Sequence, residues 1–423
     1  MQTCSLYRGK RVKINTILHD PQGSLDYMER YVNDGSPSGF TFVNSTSYDT
    51  CPNSEKKTFN LYRVIYPREW GITIGVFPSV LKDSSVTSFY DSLLIHPDCV
   101  CYFDELEVKE TDLCVVPTSS ARTVRMLDFN YYLKLNYFGI IGRIKRNLTI
   151  NHALASYEIT NILNNLIKKE KYDRLCFLPE SSAKIILNPC EKVDAGIVVR
   201  DCQQVGKSAS RIEYKIPFFS LFSTDKKMPS DKPLLIQLIN LHREDPIDFI
   251  LKEIIFPIID CYFELIIDEG LEPEWHAQNL LLGLDKNMKI QSFIMRDLES
   301  IDVDEEMRLR AGKKTPLSFY PYKHINSNQY NYQIKHSFMY DFKLCKYLIE
   351  PIIICICKEY NLNLHEIINN VRFFANTKIE SLPADFFPQD WYSFKNVLIN
   401  QERSARPYIN NGPPIYRSNN QYS

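Results

Sequence analysis

Glu274-Trp275-His276-Ala277-Gln278-Asn279 leads into an apolar run from Leu280 to Leu284, a turn at Asp285-Lys286-Asn287, and a second run from Lys289 to Met295 that ends in Arg296-Asp297. Two apolar runs around a polar turn predict an antiparallel hairpin, with Asp285 to Met288 setting its register. That register places His276 opposite Asp297. An imidazole, the carboxamides of Gln278 and Asn279, and the Arg296-Asp297 pair then gather at the open end. Such a donor set suits a nucleotide, its metal ion and a carboxylate. Spacing alone equally allows a loop whose His276 and Asn279 cap neighbouring backbone.

Upstream, Pro117-Thr118-Ser119-Ser120-Ala121-Arg122-Thr123 offers hydroxyls and a guanidinium to phosphate oxygens without a glycine-rich loop. A turn candidate at Asp128-Phe129-Asn130 and a strand-like run from Tyr131 to Ile144 follow. If the turn closes a hairpin, Arg122 lands roughly across from Lys134. The two-residue period of a strand then sends Lys134, Asn136, Gly142 and Arg146 to one face. A cationic, hydroxyl-lined surface from Ser120, Arg122, Lys134 and Arg146 is one reading; a solvated sheet face is the other.

The 423 residues suggest two or three domains with ample apolar content for a core. A net charge of −1 gives no basic field for nucleic acid. The twelve cysteines are scattered; Cys99/Cys101 and Cys355/Cys357 lack the second half of a zinc site and read as buried thiols in a reducing compartment. No apolar run follows Met1-Gln2-Thr3-Cys4, and the greasy segment Ile247 to Ile267 carries Asp248, Lys252, Glu253, Asp260 and Glu264. A cytoplasmic chain with no membrane partner is expected.

Val12 to Ile17 and Phe59 to Ile65 have strand composition, and Ser84 to Leu94 reads as a short helix or strand. His96-Pro97 reads as a loop. Asn151 to Lys169 is helical; Leu175 to Leu178 and Ala195 to Val199 are buried strands closed by Glu180 and Arg200-Asp201 as ion pairs. Asp245-Pro246 starts a helix that Gly270 stops, with Pro257 as a kink. Asp302 to Lys314 reads as charged and mobile, Phe342 to Tyr360 and His365 to Ala375 as helices, the first kinked at Pro351. The stretch Trp391 to Ile399 carries Lys395, and the tail from Arg406 reads as loose.

The ordered set of His96-Pro97, Ser120-x-Arg122-Thr123, Lys134-Leu135, Arg146, a long helix into Glu274-x-His276-x-Gln278-Asn279, Arg296-Asp297 and Lys395 resembles the NRPS-independent siderophore synthetases, the aerobactin-synthetase-like family, over about residues 93 to 400. The resemblance implies an α/β (α+β) fold shaped like a cupped hand with fingers, a kinase-like palm and a reduced thumb. Residues 1–110 would be a shortened thumb-like region, 111–243 the fingers and 244–423 the palm. It implies ATP and Mg2+ as cofactors, and adenylation of a carboxylate, citrate or a derivative, followed by attack of an amine or hydroxyl. Ser120, Arg122, Thr123 and Lys134 would hold phosphate, and Gln278 and Asn279 the nucleotide. Glu274, Asn279 and Asp297 would bind the metal. His276, Arg146 and Lys395 would be the catalytic set at the acyl group.

Three departures from the family pattern keep a second reading in play, a catalytically weak homologue acting as a ligand-binding or partner subunit. A Gly-His-Pro-x-His-Pro-x-x-Lys motif is not found, Ser300 stands where a glycine is usual, and Gly142 stands where a hydroxyl residue is usual. The resemblance implies a homodimer or a partner synthetase subunit as the assembly. A third reading, a kinase-like phosphotransferase, meets the difficulty that Gln278 occupies the place of a catalytic aspartate and a carboxamide cannot accept the proton.

Overall fold

The computed structural model describes residues 13–33, 47, 49–83, 85–141, 144–187, 194–314, 324–325, 332–388, 392–393, 411–412 and 414–418. Lys395 and Gly142 lie outside them.

An eight-stranded antiparallel sheet runs in the order Gly71–Gly75, Ser182–Ile186, Ala195–Asp201, Tyr131–Leu135, Thr123–Met126, Glu107–Pro117, Phe59–Pro67, Tyr90–Ile95. It curls, so that Lys184, next to one edge, reaches Asp91 Oδ1 (2.7 Å) on the other. Its strands come from either side of residue 110, which falls inside the strand Glu107–Pro117. One face buries Leu61, Val64, Leu93, Val115, Leu133, Leu135, Ile197 and Val199. Lys134 points to the other face, as strand alternation requires.

The hairpin Leu280–Leu284 and Ile290–Met295 is central in a four-stranded sheet between Tyr214–Pro217 and Leu175–Phe177. Its register differs from the expected one: Leu280 pairs with Met295, not with a residue nearer the turn. The turn is longer because Met288 takes a left-handed φ of 62° and Asp285 Oδ1 accepts from Asn287 N (2.8 Å) and Lys289 N (2.9 Å). A bulge between Gly283 and Leu284 adds a further offset. His276 is therefore not a strand residue opposite Asp297.

The hairpin Thr123–Met126/Tyr131–Leu135 is also one residue out. Thr123, not Arg122, faces Lys134, since the connection includes Leu127 as well as Asp128–Asn130. The long run beyond Tyr131 breaks at Asn136, whose Oδ1 accepts from Leu148 N (2.7 Å) and whose N donates to Gly196 O (2.8 Å).

One expectation near the N-terminus fails. Ile14–His19 is helical rather than extended, and a second helix, Pro21–Tyr31, follows at once. Asp20 caps the second by accepting from Gly23 N (3.0 Å), and Pro21 opens it. Ile14 and Ile17, a helical step apart, join the core of the C-terminal half, along with Leu25 and Met28.

That core is built on a long helical rod. Pro246–Asp248 passes into a π-helical stretch, Phe249–Ile255, and then into Phe256–Glu269. Pro257 lacks an N–H and stands at the second position of Phe256–Glu269, directly after the widened turns that leave its missing bond unneeded. Pro351 is treated alike: π-helical Phe338–Ile349 precedes Glu350–Tyr360. Gly270 ends the first rod at φ 57°, and a Cβ there would lie 2.6 Å from Asp304 O.

The stretch from Asp302 is ordered, not mobile. Asp304 accepts from Met307 N (3.0 Å) to cap the helix Glu305–Arg310, and Arg308 Nη1 donates to Glu269 O (2.6 Å). The described part of the tail is anchored too, by buried Arg417 on Asp341 (3.1 Å). His96 is a buried structural residue whose Nδ1 accepts from Asp98 N (3.2 Å). The described cysteines are free thiols; Cys355 and Cys357 are half-buried. No helix among the described residues is long and apolar enough to cross a membrane.

Candidate active site

The loop after Glu107–Pro117 is folded on its own hydroxyls. Thr118 Oγ1 donates to Thr123 O (2.7 Å), Ser120 Oγ accepts from Thr123 N (3.0 Å), and Ala121 sits at φ 63°. This turn brings Arg122 beside the end of the short strand Ile144–Arg146, where its Nη1 donates to Arg146 O (3.1 Å). Arg122, Lys134 and Arg146 thus meet on one side. Lys134 is 1% exposed.

Asp297 comes from the end of the second hairpin with a left-handed φ of 68°. Ser300 Oγ stabilises that bend by donating to Asp297 O (2.7 Å). The Asp297 carboxylate pairs with Lys134, and Arg200 Nη2 stands 3.2 Å from its Oδ1. Glu299, absent from the residues expected at the site, takes Lys134 at 2.9 Å and Arg122 at 3.5 Å. Burial alone would keep both carboxyls protonated. Lys134 above all, then Arg200 for Asp297 and Arg122 for Glu299, reverses this. Asp297 is held well below the ordinary range and Glu299 at about 2. The second oxygen of Glu299 is buried without a hydrogen-bond partner among the described residues.

His276 is 5% exposed, and burial pushes its pKa down to about 4, so the ring is neutral near pH 7. Its Nδ1 accepts from Gln278 N (3.2 Å), which leaves Nε2 as the protonated nitrogen. Glu274, two residues earlier, is tied to Lys343 of the π-helical stretch (2.5 Å). Asn279 Nδ2 donates to Glu274 O (3.2 Å) and approaches Ser300 Oγ (3.5 Å). The π-helix adds a backbone contact, since Tyr347 O accepts from Ala277 N (3.2 Å). Burial first, then Arg122, lowers the pKa of Arg146; Asp297, Glu274 and Glu299 act against that shift.

One electrostatic cluster therefore joins the two hairpins. Asp297 feels Lys134, Arg200 and Arg122 on one side and acts on His276 on the other. Gln278 Nε2 meets Ser119 Oγ (3.4 Å) across the junction. The expected site residues that are described, Ser120, Arg122, Thr123, Lys134, Arg146, Glu274, His276, Gln278, Asn279 and Asp297, all lie on these two elements or beside them. Sequence reading missed Glu299, Arg200 and Lys343 as residues of the site. Arg200 and Glu180 were expected to pair and do (2.8 Å), but Arg200 also reaches Asp297.

The fold is that of the aerobactin-synthetase-like siderophore synthetases. Among solved structures, ATP-bound aerobactin synthetase IucA from a hypervirulent pathotype of Klebsiella pneumoniae superposes with a TM-score of 0.68 at 10% identity, over 90% of this chain and 74% of that one. The petrobactin biosynthesis protein AsbB from Bacillus anthracis str. Sterne gives 0.65 at 14% identity, over 84% and 69%. Aerobactin synthetase IucC from the same Klebsiella pathotype gives 0.64 at 13%, over 94% and 76%. No family model and no curated protein sequence matches the chain.

Proposed function

We propose that the chain is an ATP-dependent ligase of siderophore biosynthesis, which adenylates a carboxylate, citrate or a citrate derivative, and joins it to an amine or hydroxyl. The observation that carries this reading is the shared cluster of Arg122, Lys134, Arg146, Arg200, Asp297 and His276 between two hairpins. Adenylation brings an anionic carboxylate against the α-phosphorus of a polyanion, so cations fixed beforehand are the main requirement. Arg122 and Lys134, with the hydroxyls of Ser120 and Thr123, would hold phosphates, and Gln278 and Asn279 the rest of the nucleotide. Arg146 would orient the carboxylate.

Neutral His276 can donate from Nε2 to an oxygen that gains charge. It is not required as a base, because its other nitrogen is engaged by Gln278 N. Lys395 is proposed, from the resemblance alone, to reach the acyl substrate.

Mg2+ is proposed from the resemblance, supported by a buried Glu299 oxygen without a hydrogen-bond partner among the described residues; no cluster of three or more His, Cys, Asp and Glu side chains that could hold a metal is preformed among those residues. Asp297, Asn279 and Glu299 would hold it, with Glu274 a further donor once released from Lys343. The ion would supply charge neutralisation at the phosphates.

Incubation with ATP, Mg2+, citrate and a panel of amines and hydroxyamines, followed by identification of the nucleotide product, tests the proposal. AMP with pyrophosphate is expected, and Arg122→Ala is expected to lower the rate at least about 100-fold while keeping the fold. ADP as the product would favour a phosphotransferase. Nucleotide binding without turnover would favour a non-catalytic partner subunit.

A further inference from the structure

Glu29 lies far from both hairpins in sequence yet holds them together. It is 2% exposed and comes from the helix Pro21–Tyr31. One of its oxygens, Oε2, accepts from Ser119 N (3.1 Å) and Ser119 Oγ (2.6 Å) in the hydroxyl loop. The other, Oε1, accepts from Arg296 Nη1 (2.5 Å) at the end of the second hairpin. Arg296 Nε in turn donates to Gln278 O (2.6 Å), and Gln278 Nε2 returns to Ser119 Oγ. The ring Glu29–Ser119–Gln278–Arg296 is closed.

The helix that carries Glu29 is itself braced on both bodies. Asp26 forms a two-pronged pair with Arg125 of the eight-stranded sheet (2.7 and 2.5 Å). Tyr27 OH donates to Asp225 Oδ1 (2.9 Å), between the four-stranded sheet and the C-terminal helices, and Met28 is in their core. The Glu29 carboxylate of this helix divides its two oxygens between the hydroxyl loop and the end of the second hairpin.

We propose that Glu29 is a positioning residue that fixes the hydroxyl loop against the Gln278–Asn279 turn, and through them sets nucleotide affinity. The inference rests on the ligase reading, in which ATP bridges these two elements. Only a carboxylate can accept on both sides. A glutamine of the same shape turns an N–H toward either the Arg296 guanidinium or the Ser119 N–H, so one side of the ring opens. Nucleotide would then bind to elements no longer preset at its width. Arg146 and His276 lie outside the ring, so affinity for the carboxylate alone is untouched.

The test measures binding of a fluorescent ATP analogue with Mg2+, and separately of citrate by calorimetry, to the full chain carrying Glu29→Gln, Glu29→Asp or Ser119→Ala. Glu29→Gln is expected to weaken the analogue on the order of 10- to 100-fold with citrate affinity unchanged. Glu29→Asp, which keeps the charge, is expected to recover part of the loss. Equal affinity of Glu29→Gln and wild type for the analogue overturns the proposal, as does a matched loss for analogue and citrate. If Glu29→Gln does not fold, Ser119→Ala removes both Oγ bonds of the ring, to Glu29 and Gln278, and keeps only the backbone N–H on Oε2, without stranding a charge; unchanged analogue binding in that variant likewise overturns it. A wild-type chain that binds no analogue overturns the ligase reading itself, an outcome distinct from wild type and Glu29→Gln binding alike.

Discussion

Raising the pH above 9 should loosen the strand that feeds the candidate site. His336 is fully buried, with Nδ1 2.7 Å from Glu272 Oε2 and Nε2 3.2 Å from Asp304 Oδ2. Tyr262 OH donates to Glu272 (2.9 Å), and Tyr332 OH to Asp304 (3.0 Å). Burial disfavours the imidazolium, but Glu272 first and then Asp304 override it, and the pKa rises to about 9 from an ordinary 6.5. A folded-state pKa above the unfolded one stabilises fully below the unfolded value and is lost as pH climbs through the folded one. At about 1.4 kcal/mol per pH unit, the interval gives about 3 kcal/mol, present at pH 6 and gone near pH 10. Burial raises the pKa of Glu272, and His336 first, then the Tyr262 hydroxyl, acts against that shift. Urea unfolding from pH 6 to 10 measures the slope, with His336→Gln as the reference. The wild-type chain should lose about 3 kcal/mol more than the variant across this range. Parallel curves for the two proteins would refute the assignment of a charged His336.

His276 should behave in the opposite sense. Burial holds its pKa at about 4, so below pH 6.5 the unfolded chain takes up a proton that the folded chain refuses, and stability falls as pH drops toward 4. His276→Gln should therefore be less acid-sensitive, and the wild-type rate should show no inflection near pH 6.5 in a pH–rate profile. At the tail, Arg417 is buried between Asp341 and the face of Phe387 (4.6 Å). Arg417→Ala should cost about 3 kcal/mol in a denaturant titration, because it strands the Asp341 charge; a loss under about 0.5 kcal/mol would show the tail is not anchored by this pair.

The parts of the site that were legible in sequence are those carried by short local patterns. Ser120, Arg122 and Thr123 stand together in one loop, and His276, Gln278 and Asn279 in one turn, so each set could be read without knowing what faced it. Register was less accessible. A left-handed Met288, with no glycine to announce it, moved one hairpin, and an extra turn residue moved the other; Gly283 at the bulge was the one local sign of the offset. Glu299 follows Asp297 by two positions and could have been found by asking which carboxylates the Lys134 face would need. Glu29 could not: its helix has strand-like composition just before it, and its partners are Ser119 and Arg296, brought near only by tertiary packing. The segment from Asp302 misled for a related reason. Asp304 caps a helix there and Arg308 reaches the Glu269 carbonyl, while Arg310 and Lys314 stay exposed.

Carboxylate-dependent exchange of labelled pyrophosphate into ATP probes the acyl-adenylate step without needing the amine. Exchange that requires citrate or a citrate derivative, and that disappears in Arg122→Ala, is the predicted result. ATP binding with no exchange for any carboxylate supplied, or exchange unaffected in Arg122→Ala, would contradict the claim that these two hairpins form an adenylating site.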